Sequence, residues 1–170
     1  MFAHTTARKT EPATGTPGTP ATPGTEKNGA RRVESRFGAI EVVSENMIQL
    51  PNGLLGFAEF HDFGLATLPD GRHPQFRVLQ CMTSQDLAFL VAPLNLESRA
   101  IDEEDLMEAC TTLGISRQNL IVLLIVTVRR DDEGAHVSVN MRAPLFVDGA
   151  RNIARQYVMP NNKYSIRHTL

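Results

Sequence analysis

The sequence predicts a mostly β fold, a small antiparallel β-barrel or sandwich-like domain with one or two short helices, preceded by a disordered tail. Three observations carry that prediction. Short apolar or alternating runs recur at hairpin spacing, one stretch alone repeats its apolar residues at helical spacing, and the N-terminal segment holds almost nothing to bury. The chain has 170 residues, 42% hydrophobic and 21% charged, a composition that suits a folded domain with a single core.

From Ala3 to Ala30 the residues are mainly Thr, Pro, Gly and Ala, with Thr-Pro repeats around Pro17, Pro20 and Pro23. Such a segment cannot offset its ordering entropy, so a tail is expected over 1–36 and a β domain over 37–170. The tail carries six basic against three acidic residues, +3, and the remainder 11 basic against 16 acidic, −5. A folded part of that charge repels RNA and attracts a basic protein surface.

Ile40, Val42 and Val43, then Met47, Ile48 and Leu50, give two short strands separated by Ser44-Glu45-Asn46, a hairpin pattern closed by Pro51-Asn52-Gly53. Leu54 to Phe63 carries Leu55, Phe57, Phe60 and Phe63 around Gly56, too apolar for a solvated loop, and predicts a short helical turn packed on the sheet. Strands are expected at Leu65 to Leu68, Gln75 to Cys81 and Leu87 to Ala92, the last stopped by Pro93. Asp102 to Thr112 reads as the helix: Asp102 as cap, acids at 103–105 at the positive dipole end, Leu106, Ala109, Cys110 and Leu113 at helical spacing, and Gly114 as terminator. Its polar face is Glu103, Glu104 and Glu108, either solvated or a docking surface for a basic partner.

Leu120 to Val128, β-branched or apolar nearly throughout, predicts a central strand covered on both faces, and Arg129 to Gly134 a turn. Val137, Val139 and Met141 then alternate with His136, Ser138 and Asn140, the period of a half-buried strand. Leu145 to Val147, a turn at Asp148-Gly149 and Ile153 to Val158 complete an expected meander.

No phosphate loop, dinucleotide fingerprint, zinc-hydrolase helix or serine elbow is present, and the five histidines include no i, i+4 pair. Carboxylates cluster only at 102–105 and 131–133, where neighbours point outward. The pattern predicts no catalysis, no metal and no cofactor. With no Trp and two Tyr, a stacking platform for nucleic acid is not expected either. The longest apolar run is less than half the roughly 20 residues of a spanning helix, and Arg8 and Lys9 precede no apolar signal core. A cytoplasmic protein is expected, with Cys81 and Cys110 as buried, reduced thiols.

Across 37–170 the order of motifs resembles the flagellar assembly factor FliW family. The resemblance rests on Phe37-Gly38 with Ile40-Glu41-Val42, Leu50-Pro51-Asn52-Gly53-Leu54-Leu55-Gly56-Phe57 ahead of Phe60 and Phe63, and Phe76, Leu79 and Gln80. It continues through Asp86-Leu87-Ala88-Phe89, Val139-Asn140-Met141-Arg142-Ala143-Pro144, Gln156 and Tyr164-Ser165-Ile166-Arg167-His168. Cys81, Met141, Asp148 and the tail depart from the family pattern without removing any required chemistry. The resemblance implies a monomeric protein that binds and inhibits the translational repressor CsrA and also binds flagellin, coupling flagellin synthesis to export by partner switching. A small β-barrel ligand-binding module is the alternative. Structural work is expected of Leu50, Pro51, Gly53, Leu54, Gly56, Phe57, Gln80, Asn140, Ala143, Pro144, Gln156, Tyr164 and Arg167. Partner contacts are expected at the acidic positions Glu41, Glu45, Glu103 and Glu104.

Overall fold

A computed structural model describes residues 26–27 and 29–170. In chain order the elements are β1 (Glu26–Lys27), β2 (Ala30–Ser35), β3 (Gly38–Val43), β4 (Met47–Gln49), β5 (Asp62–Thr67), β6 (Arg77–Cys81) and β7 (Ala88–Pro93). There follow α1 (Glu103–Leu113), β8 (Leu120–Asp131), β9 (Gly134–Val139), β10 (Leu145–Asp148), β11 (Ile153–Gln156) and β12 (His168–Thr169).

Seven strands close a barrel. The order runs β10-β11-β4-β5-β6-β7-β8, and β8 pairs back onto β10, with Leu123 opposite Leu145. All contacts around the ring are antiparallel except β11 with β4. Closure leaves no free edge within the ring, and β9 and β12 extend the sheet beyond it from β8. Period-two alternation sends one set of side chains inward: Ile48, Leu50, Phe63, Leu79, Cys81, Val91, Leu123, Leu145 and Val147 are all nearly inaccessible and form one apolar cluster. Side chains fill the barrel. Each large one contributes about 1.5–3 kcal/mol of burial.

Two covers protect the outer wall. Strands β2 and β3 form a hairpin whose Ile40 and Val42 pack on Ala66, Val78 and Ala88. The wall residue beneath is Gly64, where an added Cβ would lie 2.4 Å from Val42 Cγ1. Helix α1 covers the other side, placing Leu106, Ala109 and Cys110 against Val122, Leu124, Val126 and Phe146. Both cysteines are buried and free.

Several sequence expectations change. Glu26–Lys27 and Ala30–Ser35, assigned to the tail, are strands, because Val33 joins the apolar cluster under the hairpin and the β3 backbone needs a partner; residues 1–25 and 28 of the tail lie outside the described residues. The segments around Ser44–Asn46 do not pair with each other: that triplet is a short 3-10 turn that carries the chain from the cover to the wall, where β4 pairs with β5. Leu54 to Phe63 is not helical but two successive tight turns, bridged between Leu54 and Phe57, before β5 begins at Asp62. Gly53 and Gly56 take φ of +61° and +85°, and at Gly53 a Cβ would lie 2.4 Å from the Phe57 carbonyl oxygen. Strand β8 is covered on both faces only in its middle, since Ile121 and Val128 are 48% and 46% exposed. The expected turn from Leu145–Val147 into the strand from Ile153 forms, with β10 antiparallel to β11, but that strand ends at Gln156 and β10 pairs on its other side with β8 and not with β9.

Candidate functional site: the acidic corner and its C-terminal clasp

Helix α1 begins beside the wall with Asp102, Glu103, Glu104 and Asp105 in succession. Asp102 occupies the N-cap position in extended conformation, but its carboxylate does not cap the helix as the sequence suggested. It accepts a hydrogen bond from Lys163 Nζ at 2.8 Å instead. The C-terminal segment after Met159 makes this substitution possible by folding back over the helix start.

Asp105 is buried at the centre of that contact. Its carboxylate accepts from the Tyr164 hydroxyl, from Asn161 Nδ2 at 2.9 Å and from Lys163 Nζ at 3.3 Å. The Tyr164 oxygen in turn accepts the Asp102 backbone N–H at 3.0 Å, so one hydroxyl satisfies a helix-end donor and a buried acid together. Hydrogen bonding from Tyr164 holds the Asp105 carboxyl below its ordinary range, opposed by burial and reinforced by Asn161 and Lys163. Burial, then the bond to Asp105, pushes the Tyr164 hydroxyl up, and the two aspartates push Lys163 up. Glu103 is held below its usual range by Arg117, which grips it through Nε at 2.8 Å and Nη2 at 3.1 Å.

These pairings divide the acids. Asp102, Glu103 and Asp105 are engaged within the molecule, while Glu104 and Glu108 form no ion pair among the described residues. The outward stripe of α1 is therefore Glu104, Met107, Glu108 and Thr111, all exposed, with Met107 at 44%. Sequence reasoning chose Glu103 and Glu104 alike and passed over Met107, Asn161 and Lys163. The helical spacing of 104, 107, 108 and 111 was the available signal for the stripe; nothing local in sequence announces that Lys163 reaches Asp102.

The other two chosen acids lie on the hairpin cover. Glu41 is exposed on β3 opposite Arg32, and Glu45 is exposed in the 3-10 turn. The structure leaves the four glutamates as two pairs on two covers and does not join them in one network.

The motif positions gather around the barrel framework. Leu50 and Leu54 are buried, Pro51 sits in the exposed turn before Gly53, and Phe57 meets Phe89 edge-to-face at 5.4 Å. Gln156 Oε1 accepts the Leu55 N–H at 2.9 Å and its Nε2 donates to the Ala143 carbonyl at 3.0 Å, tying the double turn to the β9–β10 bend. Asn140 Oδ1 accepts the N–H groups of Arg142 and Ala143, both at 3.0 Å, shaping the bend ahead of the buried Pro144. Gln80 is fully buried and its Nε2 donates to the carbonyls of Cys81 and Ser84 at 2.9 Å, pinning the β6–β7 turn. Arg167 is exposed and stands apart from this framework.

Among the described residues no three His, Cys, Asp or Glu side chains converge as a metal site would require, and no helix is long and apolar enough to cross a membrane. The fold and its charged rim define a small closed-barrel protein with a packed apolar interior and its distinctive chemistry on the outer surface. The family model described as FliW protein matches residues 32–170, and the chain belongs to that family. It is 36% identical over 135 residues to the flagellar assembly factor FliW of Geotalea uraniireducens (strain Rf4), covering 79% of this chain and 80% of the relative. It is likewise 36% identical over 145 residues to that of Desulfitobacterium hafniense (strain DSM 10664 / DCB-2), covering 82% and 90%. The fold is shared with a crystal structure of the flagellar assembly factor FliW, at a TM-score of 0.62 and 23% identity over 81% of this chain and 95% of that one.

Proposed function

We propose that this protein is a cytoplasmic, non-catalytic partner switch in flagellar assembly, a monomer that binds and inhibits CsrA and also binds flagellin. The observation that carries the reading is the outward stripe of α1: two acids free of internal ion pairs, Glu104 and Glu108, flank the exposed Met107. A basic RNA-binding protein meets there both complementary charge and an apolar centre. The filled barrel counts against the alternative of a ligand-binding module, because Phe63, Leu79, Leu123 and Leu145 occupy the volume that a ligand would need.

Switching requires that the two complexes exclude each other, through shared surface or through a coupling of about 1–3 kcal/mol between sites. The test is a calorimetric titration of the full chain with CsrA, repeated after saturation with flagellin. Full length is required, because a chain beginning at Phe37 would lose β2 and bare the hairpin cluster. Submicromolar binding that flagellin abolishes is the expected result; silence towards CsrA overturns the repressor arm, and unaltered binding in the presence of flagellin overturns the switch.

A further inference from the structure

The C-terminal segment that clasps α1 also builds a second feature, which neither arm of the proposed function invokes. Beyond Tyr164 it forms an open depression with the β9–β10 bend, lined by Arg142, Asn162, Tyr164, Ser165, Ile166 and Arg167. The bend is fixed: the Arg142 N–H is held by Asn140 Oδ1 and its carbonyl oxygen accepts the Met159 N–H at 2.9 Å. The opposite rim is fixed as well, since the Met141 N–H donates to the Ser165 carbonyl at 3.0 Å and the Arg167 N–H to Ser165 Oγ at 3.0 Å.

Between these rims stand two arginines that have no carboxylate partner among the described residues. Arg142 spends one donor on Asn162 Oδ1 at 2.7 Å, Arg167 makes no side-chain hydrogen bond, and neither forms an ion pair among the described residues. Their neighbour Lys163, in contrast, is held by Asp102 and Asp105 on the helix side of Tyr164. Other arginines of the domain also lack an ion pair among the described residues; what sets Arg142 and Arg167 apart is that both line one depression. Ile166 directly precedes Arg167, lines the same depression and is 66% exposed, one of the most accessible large apolar side chains described.

We propose that this depression docks a protein segment in which an acidic side chain stands next to an aliphatic one. The carboxylate takes the guanidinium donors of Arg142 and Arg167, for which planar, forked recognition is the favoured geometry. The aliphatic neighbour covers Ile166. A peptide is favoured over a nucleic acid because Tyr164, the aromatic residue of the lining, is buried and offers no stacking face.

The test follows the backbone amides of 165–167 and the Arg Nε–Hε resonances of the isotope-labelled full chain by NMR. The probe is an acetylated, amidated hexapeptide alternating leucine and glutamate, titrated against its leucine–glutamine counterpart, inorganic phosphate and a single-stranded oligonucleotide. The acidic peptide is expected to give saturable shifts at these positions, weakened about tenfold by Arg167→Ser, which removes no side-chain hydrogen bond or ion pair among the described residues. Arg142→Lys, which keeps the charge and loses the fork, is expected to weaken binding while leaving the Asn140 bend intact. Equal binding of the glutamine counterpart, unmoved resonances at millimolar peptide, or tighter binding of phosphate or oligonucleotide at the same positions would each overturn the proposal.

Discussion

The two covers of the barrel solve the same burial problem in opposite ways. The β2–β3 hairpin is seated by shape: Val42 fits over Gly64, and its acids Glu41 and Glu45 are left at the surface. Helix α1 is seated by an apolar face and then fastened by polar groups, with Asp102, Glu103 and Asp105 all drawn into bonds with Arg117 or the C-terminal segment. Acidity in sequence is therefore a poor guide to acidity offered to a partner. The hairpin keeps its acids free because a glycine provides the fit, and the helix keeps free only those on its outward stripe.

Gly64 gives the largest way to break the hairpin side of this contrast. Its backbone is not in the left-handed region, so the position is set by space alone. Gly64→Val drives a branched side chain into Val42 and is expected to cost at least the ~1–3 kcal/mol of an overpacked core, with further loss if the hairpin lifts. Urea denaturation reads the total, and hydrogen exchange of the 38–43 amides shows whether the cover has opened. A compensating Val42→Ala in the same chain is expected to recover part of the loss, because the two residues touch and their effects are not additive. A hairpin indifferent to Gly64→Val would show that shape does not seat it.

The clasp is the next target. Tyr164→Phe removes the partner of both the Asp102 N–H and the buried Asp105 carboxylate, and is expected to cost about 1–3 kcal/mol. Its pH dependence separates it from a packing defect. Asp105 in the folded state binds its proton at lower pH than in the unfolded chain, so its contribution is present above the ordinary carboxylate range and is lost as pH falls through the folded value. Tyr164 and Lys163 are shifted upward, so their contributions are present below the unfolded range near pH 10 and are lost as pH rises through the folded values. Thermal melts of the native chain should thus be flat near neutrality and fall at both extremes. Asp105→Asn should blunt the acid limb while leaving the hairpin's exchange protection unchanged.

How much of this was legible in sequence follows from the range of the interactions. The helix from its acids to Gly114, the strand runs and the special φ at Gly53 are local patterns, and the sequence carries them directly. The pairing of β3 with β2 was not legible, because Ala30–Ser35 alternates weakly and follows a segment with nothing to bury, so a composition boundary hid a strand. The double turn at 54–63 read as helix because its aromatics are dense; their spacing answers to two turns and a strand that begins at Asp62. Barrel closure through β8 and β10, and the reach of Lys163 and Tyr164 to Asp102 and Asp105, are contacts between distant parts of the chain. Single-sequence periodicity has no access to them.

The smallest expected effect on stability carries the most information about function. Glu104→Gln and Glu108→Gln alter exposed side chains that form no ion pair among the described residues and should leave stability within about 0.5 kcal/mol. If α1 is the face presented to CsrA, the double substitution should slow association at low salt, converge with the native chain as salt screens the surface, and change dissociation less. The matched pair Glu41→Gln and Glu45→Gln on the hairpin is the control, because it removes the same charge from the other cover. A larger loss of association rate from the hairpin pair would move the docking surface to the glycine-seated cover, and with it the explanation for leaving those acids free. Equal losses would mean that CsrA responds to net charge alone, in which case Met107→Ser, which changes no charge, should have no effect on dissociation.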